Sequence, residues 1–271
     1  ASRQRREFMT AIRVDPEAVM TLMKTAAEEI VMPRFRSLKD GEINEKDGGE
    51  LVTIADLETE KWLTARLADL LPGSIVVGEE AVFADKAIMD RLAGADPVWV
   101  IDPIDGTWNF ANGRTAFAVM ISLVSGGEVV SGWIFEPVTG TTVIGSRGEG
   151  VTFDGKSVRL SSDQSGGYIG TAARYLRERS ELRTDIVREV YGPNCAGHEY
   201  VMILSGERAF SAYTKLMPWD HAAGSFLVTE AGGYSGLIDG GRYNLARPKG
   251  DLLTAQSEAI WHKMRDIMAD A

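Results

Sequence analysis

Apolar positions at Val19, Leu22, Met23, Ala26 and Ile30 recur at helical spacing, which predicts an amphipathic helix whose methionines fill the core. Asp15-Pro16-Glu17 supplies an N-cap, a first-turn proline and a first-turn acid, and Pro33 marks the end of the helix or a kink in it. Residues 37–50 are polar and glycine-rich. They predict a loop carrying Lys39 and Lys46, solvated as most such lysines are, with either one able to lean over a bound phosphate. Leu51-Val52-Thr53-Ile54-Ala55-Asp56 leads into a second helix with Trp62, Leu63, Leu67 and Leu70 on one face and Pro72-Gly73 as its stop. Residues 74–78 then read as a short strand running into Glu79-Glu80, and a helix covers residues 86–93.

The β-branched and aromatic run Val98-Trp99-Val100-Ile101 predicts a buried strand. Pro103 lacks a ladder donor, so the strand should end about where Asp102 begins. Residues 116–124 and 129–136 flank Ser125-Gly126-Gly127-Glu128 as a hairpin, with further turns at residues 137–140 and 154–155, and this part of the chain reads as antiparallel sheet. Residues 161–167, all Ser, Asp, Gln or Gly, mark a boundary between halves at 1–160 and 161–271. Beyond it, strands at 168–172 and 208–214 alternate with helices at 175–190 and 199–204, an α/β layer. A helix at 222–231 follows Met217-Pro218-Trp219-Asp220, strands at 234–238 and 252–255 come next, and a closing helix runs through Trp261 and Met264.

Composition narrows the function classes. At 271 residues and 44% hydrophobic the chain can bury a sizeable core in one large or two intimately packed units. A net charge of -10 leaves no nucleic-acid footprint. Arg3, Arg5, Arg6 and Arg13 make the beginning of the chain basic, but no apolar segment follows of the kind a secretory signal needs, and no stretch approaches a membrane span. Cys195 is the only cysteine, which excludes an intrachain disulfide or thiolate cluster and fits a reducing, cytoplasmic compartment. His198, His221 and His262 are too few and too scattered for a zinc site. Any metal would therefore be held by oxygen.

The oxygen donors concentrate at Asp102-Pro103-Ile104-Asp105-Gly106-Thr107. Two carboxylates sit at a strand tip, Gly106 allows close approach of a ligand, and the amides of Gly106 and Thr107 open a helical turn where an anion is stabilised. Carboxylates beside anion-binding amides imply a bridging cation, because a phosphate would otherwise be repelled. Asp56 and Asp220 stand near helix starts, where each reads equally as a cap, and Glu79-Glu80 puts acids at a second strand end.

Asp56 after Leu51-Val52-Thr53, Gly78-Glu79-Glu80, the run from Asp102 to Thr107, and Trp219-Asp220 with Ala222-Ala223-Gly224 resemble, in order, four signatures of the inositol monophosphatase family of Mg²⁺-dependent, lithium-sensitive phosphatases. The resemblance covers nearly the whole chain. It implies a layered α/β/α/β/α fold with the active site between the halves, a homodimer, and a small phosphorylated substrate. It also implies that Glu79, Asp102 and the Ile104 carbonyl hold one Mg²⁺ and that Asp102, Asp105 and Asp220 hold a second, with a third ion or Mn²⁺ as variants. Gly106 and Thr107 would bind phosphate, and Thr107, oriented by Asp56, would with Glu79 position the attacking water.

The departures concern the substrate. Inositol-specific members of the family carry a carboxylate where this chain has Tyr213, and a small-residue pair where an ungapped alignment puts Asn194-Cys195. Tyr213 and Lys215 could face inositol 1-phosphate, a sugar phosphate such as fructose bisphosphate, histidinol phosphate or 3′-phosphoadenosine 5′-phosphate. An aspartyl-phosphate mechanism would need the second aspartate two residues after the first, but position 103 is Pro and the spacing is three. A catalytically silent phosphate-binding protein of the same fold would have no need of Asp56, Glu79 and Thr107 together.

Overall fold

The opening helical period forms α1, Pro16–Ala26, capped by Asp15, whose carboxylate accepts the Glu17 amide at 3.0 Å. A π-helical turn, Ala27–Val31, carries the chain toward Pro33. Met20 and Met23 are buried as expected. The computed structural model describes residues 12, 14–46, 48–161, 168–180, 187–189 and 192–269. The four N-terminal arginines and most of the boundary stretch, residues 162–167, lie outside the described residues.

Where a loop was expected at residues 37–50, Ile43–Glu45 (β1) pairs antiparallel with Leu51–Thr53 (β2) as a small ribbon. Asn44 and Glu45 are too polar to signal a strand, and the ribbon is held by cross-strand pairing together with Thr53, which is fully buried and caps the following helix. Helix α2, Ile54–Leu70, follows and packs Leu63 and Leu67 with α1 against one face of a seven-stranded sheet. That sheet runs in the order β3 (Ile75–Gly78), β4 (Val98–Asp105), β5 (Ala118–Ser125), β6 (Glu128–Glu136), β7 (Thr141–Ser146), β8 (Gly150–Phe153) and β9 (Lys156–Val158). Only β3 and β4 are parallel, joined through α3 (Glu79–Ala84) and a 3₁₀ helix, Lys86–Ala93.

A five-stranded sheet orders β11 (Val187–Glu189), β10 (Tyr168–Ala172), β12 (Phe210–Tyr213), β14 (Leu252–Ala255) and β13 (Tyr234–Leu237). The helix expected at residues 175–190 is shorter: α5 spans Arg174–Ser180, and β11 occupies part of the remainder at the sheet edge. Two further helices, α6 (Ala196–Ser205) and α7 (Pro218–Glu230), fill the space between the sheets. Strand β5 shows how the layers share residues by period-two alternation. Val119, Ile121 and Leu123 meet α1 and α2, while Ala118 and Met120 meet Tyr200 of α6 and Leu227 of α7. With α5 and α8 (Glu258–Ala269) on the outer face of the smaller sheet through Leu176, Trp261 and Met264, the layers read α/β/α/β/α.

Candidate metal and phosphate site

Strand β4 does not stop at Asp102 but continues to Asp105. Asp102 lies opposite Met120 and Asp105 opposite Ala118, so Pro103 and Ile104 together face the single residue Val119. Pro103 sits in this bulge, where its missing N–H costs no ladder bond. The extra residue also decides where the acids point. Residues three apart on a regular strand face opposite sides, and one inserted residue turns Asp102 and Asp105 to the same side. Gly106 then takes a φ of 86° to start α4, Thr107–Ala111. A Cβ there would lie 3.0 Å from the Ala116 carbonyl oxygen and 3.1 Å from Cys195 Cβ, so glycine is needed for its conformation and for space. The first amides of α4 have no acceptor within the helix and are available to an anion.

Asp220 meets this pair from the other half. It belongs to the first turn of α7, which begins at Pro218 and not after Asp220 as the sequence suggested. Gly224 lets Tyr200 of α6 lie against α7, since a Cβ would stand 1.9 Å from the ring. Carboxylate oxygens of Asp102, Asp105 and Asp220 come within 4.8 Å of one another. Burial, with repulsion from Glu79 and Asp105, holds the Asp102 carboxyl well above the ordinary carboxylate range, and Asp220 is raised by burial, Asp105 and Glu79. Asp105 is raised by burial and is partly relieved by hydrogen bonds from Gly197 N at 2.5 Å and Cys195 Sγ at 3.0 Å, both to Oδ2. An all-oxygen set strained by its own charge fits a hard divalent cation.

The remaining expected residues approach from α2 and α3. Asp56 is fully buried and is both a cap and a partner of the site. Its Oδ2 accepts Thr53 N at 2.8 Å and Thr53 Oγ1 at 2.5 Å, while Oδ1 accepts the Thr107 hydroxyl at 3.0 Å. The same hydroxyl lies 3.0 Å from the Ile104 carbonyl oxygen. Burial against these hydrogen bonds pushes Asp56 up to about 6. Glu79 sits at the start of α3, close enough for its charge to raise Asp102, Asp105, Asp220 and Asp56. It is not solvated. Lys46 binds it at 2.8 Å and Glu80 at 2.7 Å, and Lys46 is itself only 5% exposed, against the expectation for a loop lysine. Burial works against the Lys46 charge, but Glu79 and Glu80 outweigh it and raise its pKa.

Residues 15–268 match the model of the inositol monophosphatase family. The chain belongs to this family. A Thermotoga maritima relative named fructose-1,6-bisphosphatase/inositol-1-monophosphatase is 32% identical over 192 residues, covering 68% of this chain and 70% of the relative. A Pseudomonas aeruginosa relative named Nus factor SuhB is 31% identical over 222 residues, 77% of this chain and 80% of its own. Among solved structures, an IMPase of Thermotoga maritima superposes with a TM-score of 0.79 at 24% identity, covering 94% of this chain and 96% of the other. Inositol monophosphatase family members are phosphatases, and the layered architecture described above is their fold.

A cavity of about 460 Å³ is bounded by Asp105 and Asp220 and by Tyr213 and Lys215. Lys215 turns its ammonium to Glu50 of the other half, an exposed pair. The Tyr213 hydroxyl donates to Glu199 of α6, which also accepts the Thr171 hydroxyl at 2.7 Å. Burial raises the Glu199 carboxyl against these two donors. Sequence reasoning missed Glu199, because one acid in the first turn of an apolar helix reads as a favourable dipole partner. Lys46 was missed as a partner of Glu79 and Glu80, since nothing local separates a buried loop lysine from a solvated one. No described helix is long and apolar enough to cross a membrane.

Proposed function

We propose that this chain is a Mg²⁺-dependent phosphomonoesterase acting on inositol 1-phosphate or a related small polyol or sugar phosphate, with its site between halves 1–160 and 161–271. The convergence of three acids from β4 and α7 within 4.8 Å carries the reading. Glu79, Asp102 and the Ile104 carbonyl would hold one Mg²⁺, and Asp102, Asp105 and Asp220 a second, with Mn²⁺ as a substitute. When bound, these cations neutralise the phosphate, acidify water and stabilise the leaving oxygen.

The protein's own groups do the orienting. Thr107 commits its single hydroxyl proton to Asp56 Oδ1 or Ile104 O, so its oxygen is left to accept a hydrogen bond that orients an attacking water. Glu79 stands as the second acceptor, and Lys46 keeps its carboxylate in place. The Gly106 and Thr107 amides face the phosphate. Water attacks phosphorus directly, with no covalent intermediate. Lithium sensitivity and a homodimer belong to the same reading and rest on the family resemblance, and a cytoplasmic setting rests on the single cysteine.

The test is phosphate release from a panel of phosphomonoesters with Mg²⁺. Release abolished by EDTA and restored by Mg²⁺ is expected, and release that survives chelation would overturn the reading. A chiral phosphate ester adds a second check: direct attack inverts configuration at phosphorus, while an aspartyl-phosphate route retains it.

A further inference from the structure

Both hydrogen bonds received by Glu199 fall on Oε2, from Thr171 Oγ1 and the Tyr213 hydroxyl. Oε1 takes no hydrogen bond from any described residue, although Glu199 is only 5% exposed. Gly192 lies directly against it: a Cβ there would be 2.0 Å from Oε1, so a side chain at this position would displace the carboxylate. Glu199, Tyr213, Thr171 and Gly192 all line the cavity that contains Asp105 and Asp220. A carboxylate oxygen of a buried residue that no described side chain pairs, in a residue that lines the cavity, is an acceptor open to a donor.

Tyr213 adds a second acceptor. By donating its only proton to Glu199, it presents lone pairs alone to the cavity. Its ring is fixed against His221, with centroids 4.5 Å apart, and His221 is anchored by Tyr200 at 3.0 Å and by the Lys215 carbonyl at 2.8 Å. The carbonyl can only accept, so His221 Nε2–H donates to it. The acceptor pair is therefore held in place before any ligand arrives.

We propose that Glu199 Oε1 and the Tyr213 oxygen select the leaving alcohol by accepting hydrogen bonds from a donor it carries near the ester, a hydroxyl or an ammonium group. This rests on the phosphatase reading of the neighbouring acids. Donor-bearing esters are substrates read by this wall, whereas an ester without a donor is read by the phosphate site alone.

The experiment compares kcat and KM for myo-inositol 1-phosphate, the phosphate of 2-amino-1,3-propanediol, and phenyl phosphate, which has no donor, in the wild-type protein, Glu199→Gln and Tyr213→Phe. Glu199→Gln should lower kcat/KM for a donor-bearing ester by roughly 10- to 100-fold, mostly through KM, and leave phenyl phosphate within about 2-fold. Tyr213→Phe should act in the same direction by roughly 3- to 10-fold. A loss confined to the polyol identifies the donor as hydroxyl, and one confined to the amino alcohol identifies it as ammonium. An equal loss on phenyl phosphate would reduce Glu199 to a brace between β10, β12 and α6 and overturn the proposal. So would wild-type kcat/KM values that do not favour either donor-bearing ester. Phenyl phosphate keeps the two failures apart, because absent turnover of it in the wild-type protein strikes the metal-centre reading itself.

Discussion

Asp102, Ile104, Asp105, Gly106 and Thr107 come from one hexapeptide, whereas Thr171, Glu199, Tyr213 and Lys215 reach the cavity beside Asp105 from β10, α6, β12 and the segment after it. The first group is crowded with like charge and raised pKa values, offset locally by one buried lysine. The second centres on a carboxylate that accepts two hydroxyls on one oxygen and is backed by aromatic rings. In the proposed function, contiguous sequence supplies the groups for the phosphate, whose geometry is the same in every substrate, and dispersed sequence supplies those for the variable alcohol.

The sharpest break between the two regions is Asp102→Asn. It should lower kcat by at least about 100-fold on every ester tested, since the residue would ligate both cations. In EDTA the same variant should melt at a higher temperature than the wild type, because it removes repulsion from Asp105 and Asp220; calorimetry with and without Mg²⁺ checks this. Next in size is Lys46→Met, which strips the counter-ion from Glu79 and Glu80. Urea unfolding in EDTA should show a loss of about 2–3 kcal/mol, reduced when Mg²⁺ is present.

The charged region should also carry the pH dependence. Carboxyls whose pKa is raised on folding favour the fold when protonated, so their contribution is present below the unfolded value of 3.8 and is lost as pH rises through the folded values. For Asp56 that loss runs to about 6, and for Asp102 and Asp220 it continues higher. The melting temperature of the metal-free protein should therefore fall from acid to neutral pH, and added Mg²⁺ should stabilise most at the neutral end. The smallest effect belongs to His198, whose Nδ1 pairs with Glu136 across the two halves and whose pKa that pairing raises. His198→Gln should cost about 1 kcal/mol. Here the stabilisation is complete below the unfolded value of 6.5 and disappears as pH rises through the raised folded value. A cost unchanged from pH 5 to pH 9 would remove the ion pair from the account.

By itself the sequence determined whatever depends on local period and local chemistry. Helix α1 was readable from its spacing and cap, the β5–β6 hairpin from its paired glycines, and the oxygen-only character of the centre from one cysteine and an acid-rich hexapeptide. The order of four short motifs was enough for the family and its layered fold. Tertiary structure decided what no local pattern encodes. It continued β4 through Pro103 by pairing it against β5, and the resulting bulge turned Asp102 and Asp105 to one side. It buried Lys46 because two acids from another element waited for it. It gave Glu199 hydroxyl partners 28 and 14 residues away, and so made a cavity wall from residues that individually read as strand, cap and core. Side-chain periodicity is set by neighbours along the chain, but the burial and charge of a site are set by whatever the fold packs against it.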